Sequence, residues 1–383
     1  MHKISVCIVG GGPVGLFLGI ALAKLNISCF IIERRAAPVP DSRSLGIHPV
    51  SMELFQLLGM ETEFSESGIH IQKGIAHDGT RKLGEIDFSS LKKPYNFILS
   101  CPQFKTEQIL KETFLALNPS GLIQEAEVTD IRHDEKEVVC WYKKDGREFQ
   151  ISSDFLVGCD GKNSLIRQKA GILFGGKRYP DTYIMSDFED TTEFGSKATV
   201  FLPKDGMLEC FPLPNGMRRW VVKTEKFVKN PTQALLAELI RKRLGYDLTD
   251  TKCTMLSSFG VQYFMAEQFF KNRIILAGDS AHVVSPIGGQ GMNLGWIGAW
   301  KLSQALSSIQ EQPTKAEHYL SQYQKEQQLI SKKVALRAEW NMRLGRKRTI
   351  PFFKKAFISV LLNTPLRKLA AEQFAMRGLV KVI

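Results

Sequence analysis

The feature that most constrains the fold is a glycine-rich turn close to the N-terminus. Ile4 to Val9 is apolar and β-branched, which predicts a strand, and Pro13 to Leu25 has helical spacing. The run GGGPVG from Gly10 to Gly15 connects them, and a second predicted strand, Cys29 to Glu33, ends in an acid. Together these elements predict a β–α–β unit that binds a dinucleotide.

Each glycine of this turn has a physical role. Gly10 permits the tight turn, Gly12 lets a pyrophosphate approach the backbone, and Gly15 lets the helix pack closely against the strand. The helix N-terminus then offers free N–H groups to the phosphates. Glu33 is placed to accept hydrogen bonds from an adenosine ribose. The glycines alone would also suit a purely structural turn, and they do not distinguish one dinucleotide from another.

A second glycine-rich stretch, Leu276 to Asn293, follows a predicted buried strand and opens a helix near Gln290. Asp279, at the strand end, is suited to bind a polyol such as a ribityl chain. The glycines after Pro286 let backbone N–H groups approach a flat ring, and the helix N-terminus places a positive dipole end beside it. This dipole would stabilise the negative charge of a reduced flavin. The alternative, a glycine-rich loop that caps a helix, does not explain Asp279.

The chain between and after these motifs changes character. Thr106 to Leu117 is predicted as a helix and Leu122 to Ile131 as one strand of a meander. Asp181 to Phe264 has the pattern of short antiparallel strands, which predicts a separate sheet inserted into the nucleotide-binding domain. Near the C-terminus, Thr364 is predicted to cap a last helix whose first turn holds Pro365.

Three separated motifs resemble those of the p-hydroxybenzoate hydroxylase family, the class A flavin monooxygenases. They are the N-terminal glycines, the stretch Cys159 to Arg167 (CDGKNSLIR), and the Gly278–Asp279 motif. The resemblance covers about Ser5 to Trp340, although Gly298 and Ala299 stand where many members have Asp–Ala. It implies an α/β fold with an FAD-binding, Rossmann-like doubly wound sheet, an inserted antiparallel-sheet substrate domain and C-terminal helices. The expected parts are a discontinuous FAD-binding domain (1–72, 97–180 and 265–345), a substrate domain (73–96 and 181–264) and a basic C-terminal helical segment (346–383).

The resemblance also implies which residues contact FAD. Asp160, at the end of a buried strand, and Arg167 are expected to meet FAD and the nicotinamide coenzyme, and Arg43 the ribityl-phosphate region. Taken singly, several of these residues would also suit a surface or a strand, and Asp160 would suit an Asp–Gly turn. The full set expected to bind the cofactor is Gly10, Gly12, Pro13, Val14, Gly15, Glu33, Arg34, Arg43, Gln103 (just before the Thr106 helix), Val128, Asp160, Arg167, Gly278, Asp279, Pro286, Gly288, Gly289, Gly291, Met292 and Asn293.

The activity implied is hydroxylation of an aromatic or polyketide-like small molecule by FAD, with NADPH or NADH and O2, through a flavin C4a-hydroperoxide. No protein nucleophile is required, and the candidates for a supporting role are Arg43, Arg219 and Pro286, with Arg219 as a ligand of a phenolate or carboxylate. His48 and His282 are more often structural at such positions. The substrate domain would exclude water. The residues expected to line its pocket, each of which would also suit a core, are Met185, Phe201, Phe211, Trp220 and Phe259.

Two other functions remain open. A flavin reductase or dehydrogenase of related fold would act on an isoprenoid-type substrate, and a non-catalytic flavoprotein would bind a ligand without turnover. Within the monooxygenase class, epoxidation and Baeyer–Villiger oxygenation are alternatives to hydroxylation.

Composition restricts the remaining classes. The seven cysteines form no CxxC pair and fit reduced thiols in a cytosol, and the seven histidines lack ligand spacing, so no metal site is expected. No recognised nucleic-acid motif accompanies the net charge of +12, and no stretch reaches the ~18 apolar residues of a membrane span. Residues 1–25 superficially resemble a signal peptide, but their glycines and the missing cleavage site favour a strand and helix. A cytoplasmic enzyme with a small-molecule substrate is therefore expected.

The positive charge is concentrated near the C-terminus. From Ser331 onward there are 13 Lys/Arg and two Asp/Glu, whereas the rest of the chain is nearly neutral. Ile350, Phe353, Phe357 and Leu361 form one apolar stripe beside lysines, which would suit weak contact with an anionic membrane at its inner face. The favoured alternative is that the stripe packs across the junction of the two domains while the lysines remain in solvent.

Overall fold

The computed structural model describes residues 5–38, 44–346 and 358–379. Its strands, in chain order, are β1 (Ser5–Val9), β2 (Ser28–Glu33), β3 (Gly46–Ile47), β4 (Ile69–Ile71), β5 (Lys73–His77), β6 (Lys82–Asp87), β7 (Ile98–Ser100), β8 (Leu122–Gln124), β9 (Glu127–His133), β10 (Val138–Lys144), β11 (Arg147–Ser153), β12 (Phe155–Gly158), β13 (Phe174–Glu189), β14 (Ala198–Phe201), β15 (Leu208–Leu213), β16 (Met217–Thr224), β17 (Cys253–Ala266), β18 (Phe270–Lys271), β19 (Ile274–Leu276) and β20 (His282–Val283). Residues 358–363 are helical, and the other α-helices are α1 (Pro13–Lys24), α2 (Pro49–Leu57), α3 (Glu61–Glu66), α4 (Gln103–Leu117), α5 (Leu165–Lys169), α6 (Gln233–Leu244), α7 (Gln290–Glu311), α8 (Ala316–Gly345) and α9 (Leu366–Phe374).

The first layer is a six-stranded sheet in the order β18-β19-β12-β1-β2-β8. All its pairs are parallel except β18–β19 at the edge. Apolar and β-branched residues fill the central strands, and α1 packs on both α4 and α7 beside them. Because these strands are parallel, β1, β12 and β19 all end at the same edge of the sheet.

The second layer is an eight-stranded sheet, the large sheet, in the order β20-β17-β13-β16-β15-β14-β5-β6. Its pairs are antiparallel apart from β14–β5. One face packs on α6. The opposite face, here called the inner face, includes Tyr183, Met185 and Phe259 and shares a core cluster with Ile287 of the loop before α7 and Met342 of α8. Two smaller sheets, β11-β10-β9 and β3-β7-β4, complete the fold.

The expected fold class is confirmed, with local differences. The predicted strand 122–131 is broken at Glu125, whose φ of +56° turns the chain, so β8 joins the six-stranded sheet and β9 the meander. The helix predicted from Thr106 begins at Gln103. The predicted boundaries at residues 180 and 264 fall inside β13 and β17, which are single strands of 16 and 14 residues, although the register between these two strands shifts between Arg178 and Thr182. The division into domains stays a prediction.

The C-terminal part packs on β6 and its neighbours. Ile358 and Leu362 share a cluster with Ile86 of β6, and Arg377 Nη1 lies 2.7 Å from Glu53 Oε1 of α2. The prediction of Thr364 as N-cap was wrong by one residue. Pro365 takes that position, and α9 has no side-chain cap. Thr364 accepts a bond from Arg367 N–H through its backbone carbonyl, whereas its Oγ1 has no hydrogen-bond partner among the described residues. Of the predicted apolar stripe, only the half-buried Leu361 is among the described residues; Ile350, Phe353 and Phe357 lie outside them. Within the described ranges, no helix is long and apolar enough to cross a membrane.

Candidate active site

The glycine turn after β1 is shaped by close backbone contacts. A Cβ on Gly10, whose φ is +108°, would stand 2.4 Å from the carbonyl oxygen of Cys159, and one on Gly15 would stand 1.9 Å from the carbonyl oxygen of Gly10. Gly12 differs, because its Cβ would meet only an Arg35 Nη2 atom at 4.0 Å. Gly12 is the N-cap of α1 and supplies no side-chain cap. The turn therefore leaves open space and free N–H groups at Gly12, where an anionic group can approach.

The acid at the end of β2 is held by two neighbours. Gly11 N–H donates to Glu33 Oε2 at 2.6 Å, and Arg35 donates to Glu33 Oε1 from its backbone N and its Nε, at 2.9 and 2.8 Å. Arg34, the arginine selected from the sequence, is exposed, and Arg35 is the one beside the acid. A shallow cavity opens here, lined by Gly11, Leu16, Glu33, Arg35, Ala37, Pro38, Glu107, Lys111, Leu122 and Gln124.

Gln103 and Val128, both expected to bind the cofactor, differ in how they are connected to the Glu33 end of the site. Gln103 Nε2 donates to Glu107 Oε1 at 2.8 Å, and the Glu107 carboxylate lies 3.5 Å from Arg35 Nη2. Burial raises the pKa of Glu107. Val128 is buried on β9 and belongs to the main core cluster. Gln103 is therefore connected to Glu33 through Glu107 and Arg35, and the sequence pattern did not indicate Glu107.

The second loop at this edge follows β12. Asp160 Oδ2 accepts a bond from Ile166 N–H at 3.2 Å, whereas Asp160 Oδ1 is buried and has no hydrogen-bond partner among the described residues. Burial raises the pKa of the Asp160 carboxyl. Arg167 is committed to the protein, because it donates to the carbonyls of Ser280 and Lys162 at 2.9 and 2.8 Å and lies 3.7 Å from the ring centre of Phe174. Arg167 thus ties this loop to the next one.

The third loop follows β19. Gly278 has a φ of +64° and packs against Val14, whose side chain would lie 3.1 Å from an added Cβ. The Asp279 side chain is exposed to solvent, yet it is surrounded closely enough by protein for desolvation to raise its pKa to about 6. Asp279 is therefore open to solvent on one side and packed against protein on the other, and water on the open side screens its charge.

The start of α7 is fixed by a buried amide. Asn293 Oδ1 accepts from His48 N–H at 2.8 Å and from Ser51 Oγ at 2.7 Å, and its Nδ2 donates to the carbonyls of Gly46 and Gly289, both at 2.8 Å. These bonds hold the loop before α7 against β3 and α2. In the same loop Gly288 and Gly289 have φ values of +88° and +66°, and Pro286 is exposed.

Two buried polar groups, His48 and Gln290, lie next to this loop. Burial lowers the pKa of His48 to about 4, so its imidazole is neutral near pH 7, and its Nε2 lies 3.2 Å from the carbonyl oxygen of Gly288. This position agrees with a structural histidine. Gln290 is the first residue of α7, and its Oε1 is buried without a partner in the part of the chain that the structure describes; no sequence pattern indicated it as a site residue.

The five aromatic and methionine residues expected to line a pocket lie on two faces of the large sheet. Met185, Phe211 and Phe259 are on the inner face, whereas Phe201 and Trp220 are in the core against α6. Successive residues of a strand point to opposite faces, so Trp220 cannot share the face of its neighbour Arg219. Phe201 and Trp220 are therefore removed from the candidate pocket.

Arg219 is on the inner face and already has an ion partner. Its Nε and Nη2 donate to the two carboxylate oxygens of Asp187 at 2.6 and 2.8 Å. Its Nη1 is buried and has no hydrogen-bond partner within the described ranges. Arg219 could therefore give one more hydrogen bond to an anionic or polar ligand without leaving Asp187.

The residues present fit an FAD molecule. The open space at Gly12 and the helix N-terminus suit a pyrophosphate, the cavity beside Glu33 suits the adenosine end, and the partially enclosed Asp279 suits a ribityl hydroxyl. The left-handed Gly288 and Gly289 at the uncapped start of α7 suit a flat ring system. Gly291 and Met292 follow there in the first turn of α7, and Pro13 begins α1 with its carbonyl bound by Trp296 Nε1 at 3.0 Å. Arg43 lies outside the described residues.

Sequence comparisons agree with this geometry. A family model described as FAD binding domain matches residues 3–338. The chain is 33% identical over 318 residues to an uncharacterized aromatic compound monooxygenase, YhjG, of Bacillus subtilis, an alignment that covers 80% of this chain and 62% of that protein. It is 30% identical over 311 residues to a rifampicin monooxygenase of Streptomyces venezuelae, with 79% and 64% covered. The chain therefore spans less than two thirds of the length of these curated relatives.

Solved structures share the fold. The p-nitrophenol 4-monooxygenase PnpA from Pseudomonas putida DLL-E4 superposes with a TM-score of 0.88 at 20% identity and covers 98% of each chain. The OxyS anhydrotetracycline hydroxylase from Streptomyces rimosus superposes with a TM-score of 0.80 at 25% identity, over 98% of this chain and 76% of that one. At 20% identity the first likeness is one of fold alone.

Proposed function

The chain belongs to the FAD-binding domain family of the class A flavin monooxygenases, and from that premise we propose that it is an FAD-dependent monooxygenase acting on an aromatic or polyketide-like small molecule. NADPH or NADH would be the reductant and O2 the oxidant. The observation that supports this most is the convergence of three strand ends, which bring Gly10, Asp160 and Asp279 to one edge, with the start of α7 beside them. Ile287, in the loop before α7, packs in the cluster on the inner face of the large sheet, so this face lies next to that loop.

FAD, when bound, supplies reduction by a nicotinamide coenzyme and activation of O2. The residues of this chain bind and orient it. The N-terminus of α1 would face the pyrophosphate, Glu33 the adenosine ribose and Asp279 the ribityl chain. The N-terminus of α7 would place its positive dipole end beside the ring, where it favours negative charge. The aromatic and methionine side chains of the inner face would exclude water from the reacting ring.

An aromatic substrate class is supported by the chemistry of the inner face. Tyr183 and Phe259 stack with ring centres 5.3 Å apart, and Met185, Met207 and Met255 lie in the same cluster. Aromatic and thioether groups suit a flat apolar ligand. The relatives are named for aromatic compounds and rifampicin, which agrees with this class.

A single set of assays tests the proposal. Purified protein should bind FAD without a covalent bond, and NADPH or NADH oxidation should be slow alone and faster with a phenol, polyketide or quinone precursor. Product mass should rise by one oxygen. Saturation of an isoprenoid chain without O2 uptake would instead identify a reductase or dehydrogenase. FAD binding with no coenzyme oxidation for any compound would identify a non-catalytic flavoprotein.

Peripheral contact with an anionic membrane is a second candidate property. The exposed side of α8 combines apolar and basic side chains, with Leu329, Leu336 and Trp340 exposed by 55%, 62% and 64%. The basic residues exposed on the same side are Lys325, Lys332, Lys333 and Arg343. Each Lys or Arg near an anionic surface contributes about 1 kcal/mol, and Trp and Leu bury well at the interface.

Vesicle co-sedimentation tests this second candidate. The protein should bind anionic but not neutral vesicles, and binding should weaken in high salt and in Trp340→Glu. Glu148→Gln, on the exposed part of β11, is the control and should bind as the unchanged protein does. Absence of binding to anionic vesicles at low salt would leave a cytoplasmic enzyme whose basic C-terminal part is structural.

A further inference from the structure

Asp181, Asp187 and Glu209 are acidic side chains on the inner face of the large sheet, and they differ in their partners. Asp187 is paired with Arg219, as described above. Asp181 accepts a bond from Lys223 Nζ at 2.6 Å and two from Arg346 Nε at 3.0 and 3.1 Å. Glu209, on β15, is only 8% exposed and has no hydrogen bond or ion pair to any described residue. A carboxyl group placed in this way is unusual, because buried charges are normally paired.

Strand register places Glu209 on the inner face. Its neighbours Leu208 and Cys210 belong to the cluster under α6, so Glu209 points the opposite way. Glu209 pairs across strands with Val221 of β16 and Val200 of β14. Both valines belong to the inner-face cluster that includes Ile287, from the loop before α7. The carboxyl group therefore lies in the layer between the large sheet and the loop expected to hold the flavin ring.

The surroundings of Glu209 favour a neutral hydrogen-bond donor over a cation. Arg219 and Lys223 are diagonal neighbours on β16, and residues in that relation are about 7–8 Å apart. Both cations are already paired, Arg219 with Asp187 and Lys223 with Asp181, and Arg346 on the same face balances the charge of an ionised Glu209, so the cluster requires no further cation. The adjoining surface, with Tyr183, Phe259 and several methionines, suits an aromatic ring.

We propose that Glu209 is the group that recognises the hydroxyl of a phenolic substrate and accepts its proton. In this step the substrate O–H bond breaks, the proton moves to a Glu209 carboxylate oxygen, and the electron pair stays on the substrate as a phenolate, whose ring is richer in electrons. This inference rests on the proposed function and narrows its substrate class to aromatic compounds with a free hydroxyl. Glu209 is thus a specificity-determining and catalytic residue.

Proton acceptance near neutral pH is consistent with the burial of Glu209, which raises the pKa of its carboxyl to about 7. A base with a pKa near the working pH is the most effective one. The titratable and charged groups that face Glu209 from the packed elements are Asp181, Tyr183 and Asp187 of β13, Arg219 and Lys223 of β16, and Arg346 after α8.

The test compares phenols with their methyl ethers, which keep the ring but lack the proton. The probes are phenol, 2-naphthol and 4-nitrophenol, each beside its methyl ether, and binding to the FAD-loaded protein is read from flavin fluorescence. At least one phenol should bind about tenfold more tightly than its ether, the value of one well-placed hydrogen bond to a charged group. Glu209→Leu should reduce this ratio below about twofold without weakening the ether. Glu148→Gln should leave both affinities unchanged.

A pH profile separates a proton acceptor from a merely structural group. Phenol-stimulated NADPH oxidation, as kcat/KM, should fall below about pH 7 in the unchanged protein, and this acidic limb should be absent in Glu209→Gln. FAD content of each variant reports whether it folds. A phenol-to-ether ratio unchanged in Glu209→Leu, an acidic limb kept in Glu209→Gln, or no preference for any phenol would overturn the inference. A ratio lost in Glu209→Leu with no oxygenated product from any phenol would instead overturn the proposed function alone.

Discussion

Replacing Asn293, in the first turn of α7, by alanine should strongly destabilise the protein. Asn293 is fully buried and makes four hydrogen bonds of 2.7–2.8 Å, two as acceptor and two as donor. A typical bond of this kind contributes about 1 kcal/mol, and buried groups left without partners cost more. Asn293→Ala should therefore lower the free energy of unfolding by about 4 kcal/mol.

Urea unfolding at a fixed concentration of FAD measures this loss, since a bound cofactor itself stabilises the folded state. Ser51→Ala is the matched control, because it removes one of the four bonds and should lower the free energy of unfolding by about 1 kcal/mol. FAD affinity should fall more in Asn293→Ala than in Ser51→Ala, because the Asn293 bonds to the carbonyls of Gly46 and Gly289 hold the loop before α7 in place. A loss below about 1 kcal/mol, or one equal to that of Ser51→Ala, would refute the assignment of Asn293 as the clamp of this loop.

Three further changes test other parts of the account. Gly15→Ala should abolish FAD retention on gel filtration, because its Cβ would lie 1.9 Å from a carbonyl oxygen, whereas Gly260→Ala, where a Cβ meets nothing within 4 Å, should retain FAD. Glu209→Gln should be more stable than the unchanged protein by up to ~3 kcal/mol at pH 8, and the difference should vanish towards pH 4.5, since the folded-state pKa of about 7 lies above the unfolded value. Arg167→Lys should lower the free energy of unfolding by about 2 kcal/mol in urea, because an ammonium group cannot reach both carbonyls and stack on Phe174; a change near zero would contradict this.

The sequence predicted the structure of the N-terminal glycine turn well because its signals are local. The glycine turn, the strand that precedes it and the helix that follows it are adjacent in the chain, and the predicted helix Pro13 to Leu25 differs from α1 by one residue. Gly10 and Gly15 were assigned from spacing alone, and the structure gives the backbone contacts that exclude a side chain at both positions. The fold class followed from the same kind of pattern.

The parts that the sequence did not predict depend on pairing between distant strands. Which face of the large sheet each aromatic residue takes depends on register, so Phe201 and Trp220 were grouped with residues of the opposite face. The sequence around Glu209 contains no motif that marks it as a site residue. Its lack of a charged partner becomes apparent only from the strand pairing, which places Val200 and Val221 on either side of it. The sequence also selected Arg34 and not Arg35 as the arginine beside Glu33. Which of the two faces Glu33 depends on the direction of the chain after β2, which no local pattern indicates.

Transfer of oxygen from O2 to the substrate is the most direct test of the central claim. The FAD-loaded protein would be given NADPH, 18O2 and the phenol that most stimulates NADPH oxidation, and the product would be analysed by mass spectrometry. Monooxygenation predicts one new oxygen atom that comes from 18O2, with one NADPH consumed for each product formed. A product whose new oxygen comes from water, or NADPH oxidation that yields only hydrogen peroxide with every phenol tested, would contradict it.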